Sequence, residues 1–378
     1  MSISLKMATV VEPAESGEAE GCVQCQVGSK LVLFVTGNCH WACDYCPLSE
    51  NRREIDIMYA NERPCMNFDQ VIEEARAMNA TGTGITGGDP LMAREKSLEA
   101  IMRLKHEFGP SHHIHMYTSL PFNPKFAKDF AEAGLDEIRF HLLKLELEKY
   151  IPTIEACSDA GIFTGIELPA EPDKELELYQ LIEDLRSTSI SFLNLNELEI
   201  TVGNYDNMEL RGFNISNEIT AGAEGSSDLA NRLKNRITNA NIGIPDSETG
   251  EILNPYGYHL KFCTSSYKDA GQLRARFRRR ALSTIRPYEQ LSDDDTIIFG
   301  AMYVEKIDAT DIISEISTEL EISDNWLMWN SEESRIEMPL SIAELLAEDV
   351  KFPVAMIEVH PTHERLEVGL VWLNDSRK

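Results

Sequence analysis

The first chemistry legible in the chain is three cysteines in one short loop. They are Cys39, Cys43 and Cys46, in the run Thr36-Gly37-Asn38-Cys39-His40-Trp41-Ala42-Cys43-Asp44-Tyr45-Cys46-Pro47. Spacings of three and two intervening residues let three thiolates meet on one metal centre, one ligand short of the four that saturate zinc or an ordinary cubane cluster. A three-thiolate 4Fe–4S cluster keeps one iron open for a substrate. A zinc site built from the same cysteines and His40 suits the residue types, but His40 directly follows Cys39 and joins its neighbour poorly in a tetrahedron. A second run, Gly87-Gly88-Asp89-Pro90, pairs two glycines that let backbone approach a ligand closely with a carboxylate able to accept hydrogen bonds from an ammonium.

The elements that must position these residues follow from periodicity. Strand-like runs fall at 31–36, 83–86, 113–118, 137–141, 163–168 and 192–200. Helical patterns lie between them, as at Val71, Ile72, Ala75 and Met78, or at Leu178, Leu181, Ile182 and Leu185. Asp69 and Pro124 stand where a cap and a first-turn proline start helices. Six strand–helix units in succession predict a parallel sheet rolled into a partial (β/α)6, TIM-like barrel, with its site at the strand C-terminal ends. The expected divisions are an N-terminal Cys-containing extension (1–30), the barrel (31–203), a helical extension with Cys263 and a basic helix (204–290), and a small C-terminal α+β domain (291–378). In the last, 296–304 and the pair 354–359 and 366–373 read as strands.

The cysteine spacing with Tyr45 before the third cysteine, followed by Gly87-Gly88-Asp89-Pro90 at the end of the second strand, resembles the radical S-adenosylmethionine (SAM) superfamily. There the second motif is usually Gly-Gly-Glu-Pro and holds the amino group of SAM; Asp89 shortens the reach and keeps the chemistry. The resemblance implies a 4Fe–4S cluster on Cys39, Cys43 and Cys46 whose open iron chelates SAM. One electron then splits the sulfur–C5′ bond, giving methionine and a 5′-deoxyadenosyl radical that abstracts hydrogen. It further implies an anaerobic host and a low-potential electron donor such as ferredoxin or flavodoxin. By the same resemblance Thr118, Arg139, His141 and Glu167, taken as strand ends, join Tyr45, Gly87, Gly88, Asp89 and Pro90 as SAM-binding candidates. The run Leu193-Asn194-Leu195-Asn196-Glu197-Leu198-Glu199 and the 86–91 segment are more narrowly similar to archaeal proteins related to pyruvate formate-lyase activating enzymes, over about residues 22–280. The expected reaction is hydrogen abstraction from a protein or peptide that is thereby modified. The alternatives are a glycyl-radical enzyme activase, then tRNA modification, and last a non-catalytic metal-binding module.

Cys22 and Cys25 form a Cys-x2-Cys pair before the barrel, and Cys263 follows it. Together they suggest an auxiliary iron–sulfur cluster, or zinc if His259 or Cys65 joins, with Cys22 near the barrel floor. Asn194 and Asn196 alternate with Glu197 and Glu199, so one pair faces the barrel interior. Cys157 reads as a small buried apolar residue, His112 and His113 as floor residues, and His360 and His363 as surface residues of a turn.

The 378 residues carry 35 basic and 63 acidic side chains, a net charge of −28. That balance opposes binding to nucleic acid or an anionic membrane. The exception is Arg274, Arg276, Arg278, Arg279 and Arg280, around an apolar stripe of Leu273, Phe277 and Ala281. This reads as a helix docked on acidic neighbours, or more sharply as a surface for an anionic substrate, a protein or RNA. No run approaches the roughly 20 apolar residues of a membrane span. With acidic residues rather than an apolar core at the start of the chain, a cytoplasmic protein with reduced thiols is expected.

Overall fold

Apolar runs that are short and buried on both faces become parallel strands when each is followed by a crossover helix. A computed structural model, which describes residues 17–216 and 220–374, shows this arrangement. The strands are β1 (Lys30–Phe34), the hairpin β2 (Met58–Ala60) and β3 (Arg63–Cys65), then β4 (Gly82–Thr86), β5 (His113–Thr118), β6 (Glu137–Phe140), β7 (Phe163–Ala170), β8 (Phe192–Glu197) and β9 (His259–Cys263). They form one nine-stranded sheet in the order β3-β2-β1-β4-β5-β6-β7-β8-β9. β1 and β4 to β9 run parallel, and the hairpin adds antiparallel strands at the β1 edge. The sheet is a partial barrel with open edges at β3 and β9.

Helix α1 (Glu20–Gln26) precedes β1. The crossovers are α2 (Phe68–Ala77), α3 (Arg94–Phe108), α4 (Lys125–Ala133), α5 (Ile151–Asp159) and α6 (Glu175–Asp184). Short α7 (Tyr205–Leu210) and long α8 (Ser226–Asn241) follow β8. The side chain that caps α2 is Asn67 rather than Asp69: its Oδ1 accepts from Gln70 N at 3.1 Å. Helix α4 ends at Gly134, whose φ of +101° suits glycine and lets its N–H reach the Ala131 and Phe130 carbonyls.

The six expected strands stand in place, and the sheet carries a seventh parallel member, β9. Its sequence His259-Leu-Lys-Phe-Cys263 is short and interrupted by Lys261, so it gives little signal; Cys263 therefore ends a strand rather than lying in a helical extension. The expected 192–200 strand ends at Glu197. The floor of the barrel is closed by α1. Gly21 N donates to Glu137 Oε2 at 3.0 Å, and a methyl on Gly21 would stand 2.6 Å from Arg139 Nη2 and 2.7 Å from His115 Nδ1. Only glycine admits the helix this deeply.

The chain divides into two compact units, the first running through Leu273 and the second comprising residues 76–79 and 274–378. In the second, α9 (Arg274–Thr284) precedes β10 (Gln290–Leu291) and β11 (Ile297–Tyr303). Helix α10 (Ala309–Glu319), β12 (Met328–Asn330), β13 (Arg335–Met338), α11 (Leu340–Leu346) and the hairpin β14 (Val354–Val359) and β15 (Glu367–Trp372) complete it. The sheet is antiparallel, ordered β12-β13-β11-β14-β15 with β10 on β11. Arg274 and Arg278 both bond to Asp295, at 3.0 and 2.9 Å, and buried Arg280 donates to the Pro361 carbonyl at 3.0 Å. Arg279 donates to the Met78 and Asn79 carbonyls, so at least four of the five arginines are engaged inside this unit. His360 is half-buried against Phe277 rather than on the surface, while His363 is exposed.

Candidate active site

The cysteine loop leaves the C-terminal end of β1, and its start is fixed by backbone. Gly88 N donates to Thr36 O and Asp89 N to Asn38 O, both at 2.8 Å, and Gly37 N donates to Ile55 O at 2.8 Å. A methyl on Gly87 would lie 2.5 Å from Thr36 O, and one on Gly88 would lie 2.6 Å from Gly37 O and collide with Asn38 O. The close approach these two glycines permit is therefore to the cysteine loop itself.

Asp89 is 1% exposed. Its carboxylate accepts from Thr118 Oγ1 at 3.0 Å, Ser119 N at 2.7 Å, Ser119 Oγ at 2.8 Å and Leu91 N at 2.9 Å. It thereby caps the turn Pro90–Ala93 and ties the ends of β4 and β5 together. His40 Nδ1 is buried without a hydrogen-bond partner, 4.0 Å from Asp89 Oδ2.

An open pocket of about 230 Å³ lies between these elements. Cys39, Cys43 and Cys46 line it together with Tyr45, residues 86–90, Tyr117, Thr118, Ser119 and His141. All three cysteines are free thiols. Burial pushes Cys43 up to about 11 and raises Cys39 as well, so binding of a metal centre releases their protons. Among the described residues no three thiol, imidazole or carboxylate groups gather around a single point. A zinc ion needs its thiolates about 2.3 Å from one point. A cubane takes one thiolate on each of three irons, and all three cysteines line the one pocket. The free thiols, the open pocket and the unpartnered His40 Nδ1 fit a 4Fe–4S cluster with SAM beside it.

Tyr45 Oη lies 2.7 Å from His141 Nε2, and His141 Nδ1 lies 3.2 Å from the Glu167 carbonyl. A carbonyl only accepts, so Nδ1 carries a proton. Burial lowers the His141 pKa, and the neutral ring leaves Nε2 to accept from the tyrosine. Thr118 and His141 thus reach the pocket. Arg139 and Glu167 do not line it: Arg139 is the third of four residues in β6 and Glu167 the fifth of eight in β7, so both sit below the mouth. Arg139 bonds to Glu137 (2.6 Å), Glu167 (2.8 Å), the Tyr117 hydroxyl (3.0 Å) and Cys22 Sγ (3.3 Å). Asn194 and Asn196, the inward pair of β8, donate to Glu167 at 3.0 and 2.8 Å. Burial raises the Glu167 pKa, but Arg139 and the two amides outweigh it and hold the carboxyl low. Glu197 instead accepts from Ser265 N at 2.7 Å and Ser227 Oγ at 2.6 Å.

Cys22 lies at the barrel floor, where burial pushes its thiol up to about 12. Cys25 is half-buried on the same helix and Cys263 is buried at the end of β9. These three do not form a converged donor set. Cys157 is fully buried in α5. His112 and His113 sit at the strand starts, where His112 Nε2 meets Thr83 Oγ1 at 2.8 Å and Lys30 Nζ meets His113 Nδ1 at 2.6 Å.

Sequence reasoning missed a group beyond β8. Asn204 Nδ2 donates to Tyr45 O, Asn207 Nδ2 to Asp44 O and Arg211 Nη1 to Asp44 Oδ2, at 2.9, 3.2 and 3.2 Å. Only the Asn/Gly richness of this stretch is visible in the sequence, and it reads equally as loop.

The model of the radical SAM superfamily matches residues 33–184. A protein of Methanocaldococcus jannaschii, provisionally named a glycyl-radical enzyme activating enzyme, is 33% identical over 368 residues, covering 92% of this chain and 91% of its own. A GTP 3′,8-cyclase of Lactiplantibacillus plantarum is 30% identical over 141 residues, 37% of this chain and 41% of the cyclase. Among solved structures, methylornithine synthase gives a TM-score of 0.41 at 11% identity, covering 65% of this chain and 78% of its own. The chain belongs to the radical SAM superfamily. No helix among the described residues is long and apolar enough to cross a membrane.

Proposed function

We propose that this radical SAM enzyme abstracts a hydrogen atom from a protein, and that the protein is a glycyl-radical enzyme which it activates. The observation that carries the chemistry is the single pocket onto which Cys39, Cys43, Cys46 and the 86–90 turn all open. The protein substrate is supported by the M. jannaschii relative, whose likeness spans nearly both chains. Modification of another protein or a peptide is the broader form of the same reading.

When bound, the 4Fe–4S cluster supplies one electron to SAM, and the cleaved SAM supplies the 5′-deoxyadenosyl radical. Cys39, Cys43 and Cys46 hold the cluster. Tyr45, Gly87, Gly88, Asp89, Pro90, Thr118 and His141 shape the SAM side of the pocket, while Arg139 and Glu167 brace Tyr117 and His141 from below. A low-potential protein such as ferredoxin or flavodoxin delivers the electron.

Protein reconstituted without oxygen is expected to hold about four irons and four sulfides. With SAM and a reductant it releases 5′-deoxyadenosine, and with its protein substrate it leaves a glycyl radical visible by electron paramagnetic resonance. Serine at Cys39, Cys43 or Cys46 abolishes all three. Zinc in place of iron after reconstitution would overturn the reading. About eight irons would assign Cys22, Cys25 and Cys263 to an auxiliary cluster.

A further inference from the structure

The loop between Cys39 and Cys46 has little regular structure of its own, and its internal backbone bond is Cys46 N to Cys43 O at 3.2 Å. Among the described residues, the backbone carbonyls of this loop bonded from outside it are those of Asp44 and Tyr45, and both donors are asparagine side chains of the segment after β8. Asn204 is 2% exposed. Its Oδ1 accepts from Thr201 N at 2.8 Å, while Nδ2 donates at 2.9 Å both to Glu199 O and to Tyr45 O. One amide thus joins the chain leaving β8 to the residue between the second and third cysteines. Met208, one turn further on, is fully buried in an apolar cluster against which Tyr45 and Phe213 pack. On the outside, Arg211 bonds to Asp44, to both carboxylate oxygens of Asp173 and to Glu171.

We infer that Asn204, seconded by Asn207 and Arg211, is a positioning residue for the cluster, locking the Cys43–Cys46 half of the loop in the geometry its ligands require. The inference rests on the assignment of the cluster to Cys39, Cys43 and Cys46. Partners that orient ligands rather than touch the metal set affinity by about 10- to 100-fold.

The test compares wild type with Asn204→Asp, which keeps the acceptor to Thr201 and turns the donor to Tyr45 into a repelling oxygen. Each is reconstituted without oxygen, and the release of iron to a ferrous chelator is timed. The reduced-cluster resonance is recorded with and without SAM, and circular dichroism reports folding. Iron loss at least about tenfold faster in Asn204→Asp, with an altered resonance and an unaltered dichroism spectrum, is the expected result. Equal rates and equal spectra would overturn it. If Asn204→Asp fails to fold, the exposed-side double variant Asn207→Ala/Arg211→Ala decides: faster loss upholds the brace, and an unchanged rate refutes it. A wild type that takes up no iron refutes the cluster assignment instead.

Discussion

The Tyr45 hydroxyl donates to Nε2 of a neutral His141 across 2.7 Å, joining the cysteine loop to the end of β6. Tyr45→Phe leaves that buried acceptor unmatched, at a cost of about 1–3 kcal/mol that falls locally on the loop. Amide exchange in residues 39–46 should quicken about tenfold or more, the factor each ~1.4 kcal/mol commands, while β7 and β8 keep their protection. Unchanged exchange in the loop would refute the coupling.

Gly88→Ala tests the backbone seam between the two motifs. The methyl meets two carbonyl oxygens, Gly37 O and Asn38 O, and backbone does not yield as a side chain does. A loss of about 1–3 kcal/mol, read from the urea midpoint, is expected together with lower iron uptake. A wild-type midpoint would show that the seam is looser than described.

The buried core of the barrel hangs on Arg139. Replacing it by methionine leaves Glu137 and Glu167 facing each other without their cation, and costs about 3–5 kcal/mol in equilibrium denaturation. A loss below about 1 kcal/mol would mean that water or a protonated carboxyl takes over its role.

Acid should weaken the fold through the floor histidines. Burial, helped by the Lys30 cation, lowers His112 to about 4 and His113 to about 3. Above about pH 6.5 neither the folded nor the unfolded form carries their charge, and their neutral burial is tolerated. As pH falls below that value the unfolded chain takes up protons that the folded one refuses, so stability declines, by about 2 kcal/mol per histidine at pH 5. His112→Asn should flatten the slope of the urea midpoint between pH 7 and 5. An identical slope would place the titration elsewhere.

The sequence made the parallel strands legible because Leu31, Ile85, Ile114, Ile138, Ile166 and Leu193 sit in short apolar runs whose spacing leaves room for a helix. It made the cysteines legible because few structures need three thiols at that spacing. It hid β9, where Lys261 breaks the apolar signal, and it hid Asn204, since an asparagine in the Asn/Gly-rich stretch after a strand looks like any turn former. Gly87 and Gly88 were visible as a demand for close approach, but nothing in one sequence says that the partner is the Thr36–Asn38 backbone. Arg139 and Glu167 were readable as inward polar residues, and their depth was not, because depth depends on where each neighbouring strand begins.

The helix carrying Gly21 has a consequence for traffic. Among the described residues, α1 stoppers the floor and the Arg139 network fills the lower barrel, so the cysteine pocket opens toward the strand C-terminal ends. On the proposed reading, SAM and its reaction partner meet at that same end. On that reading a protein substrate that docks after SAM covers the pocket from that side, and the radical formed beneath it meets that substrate first.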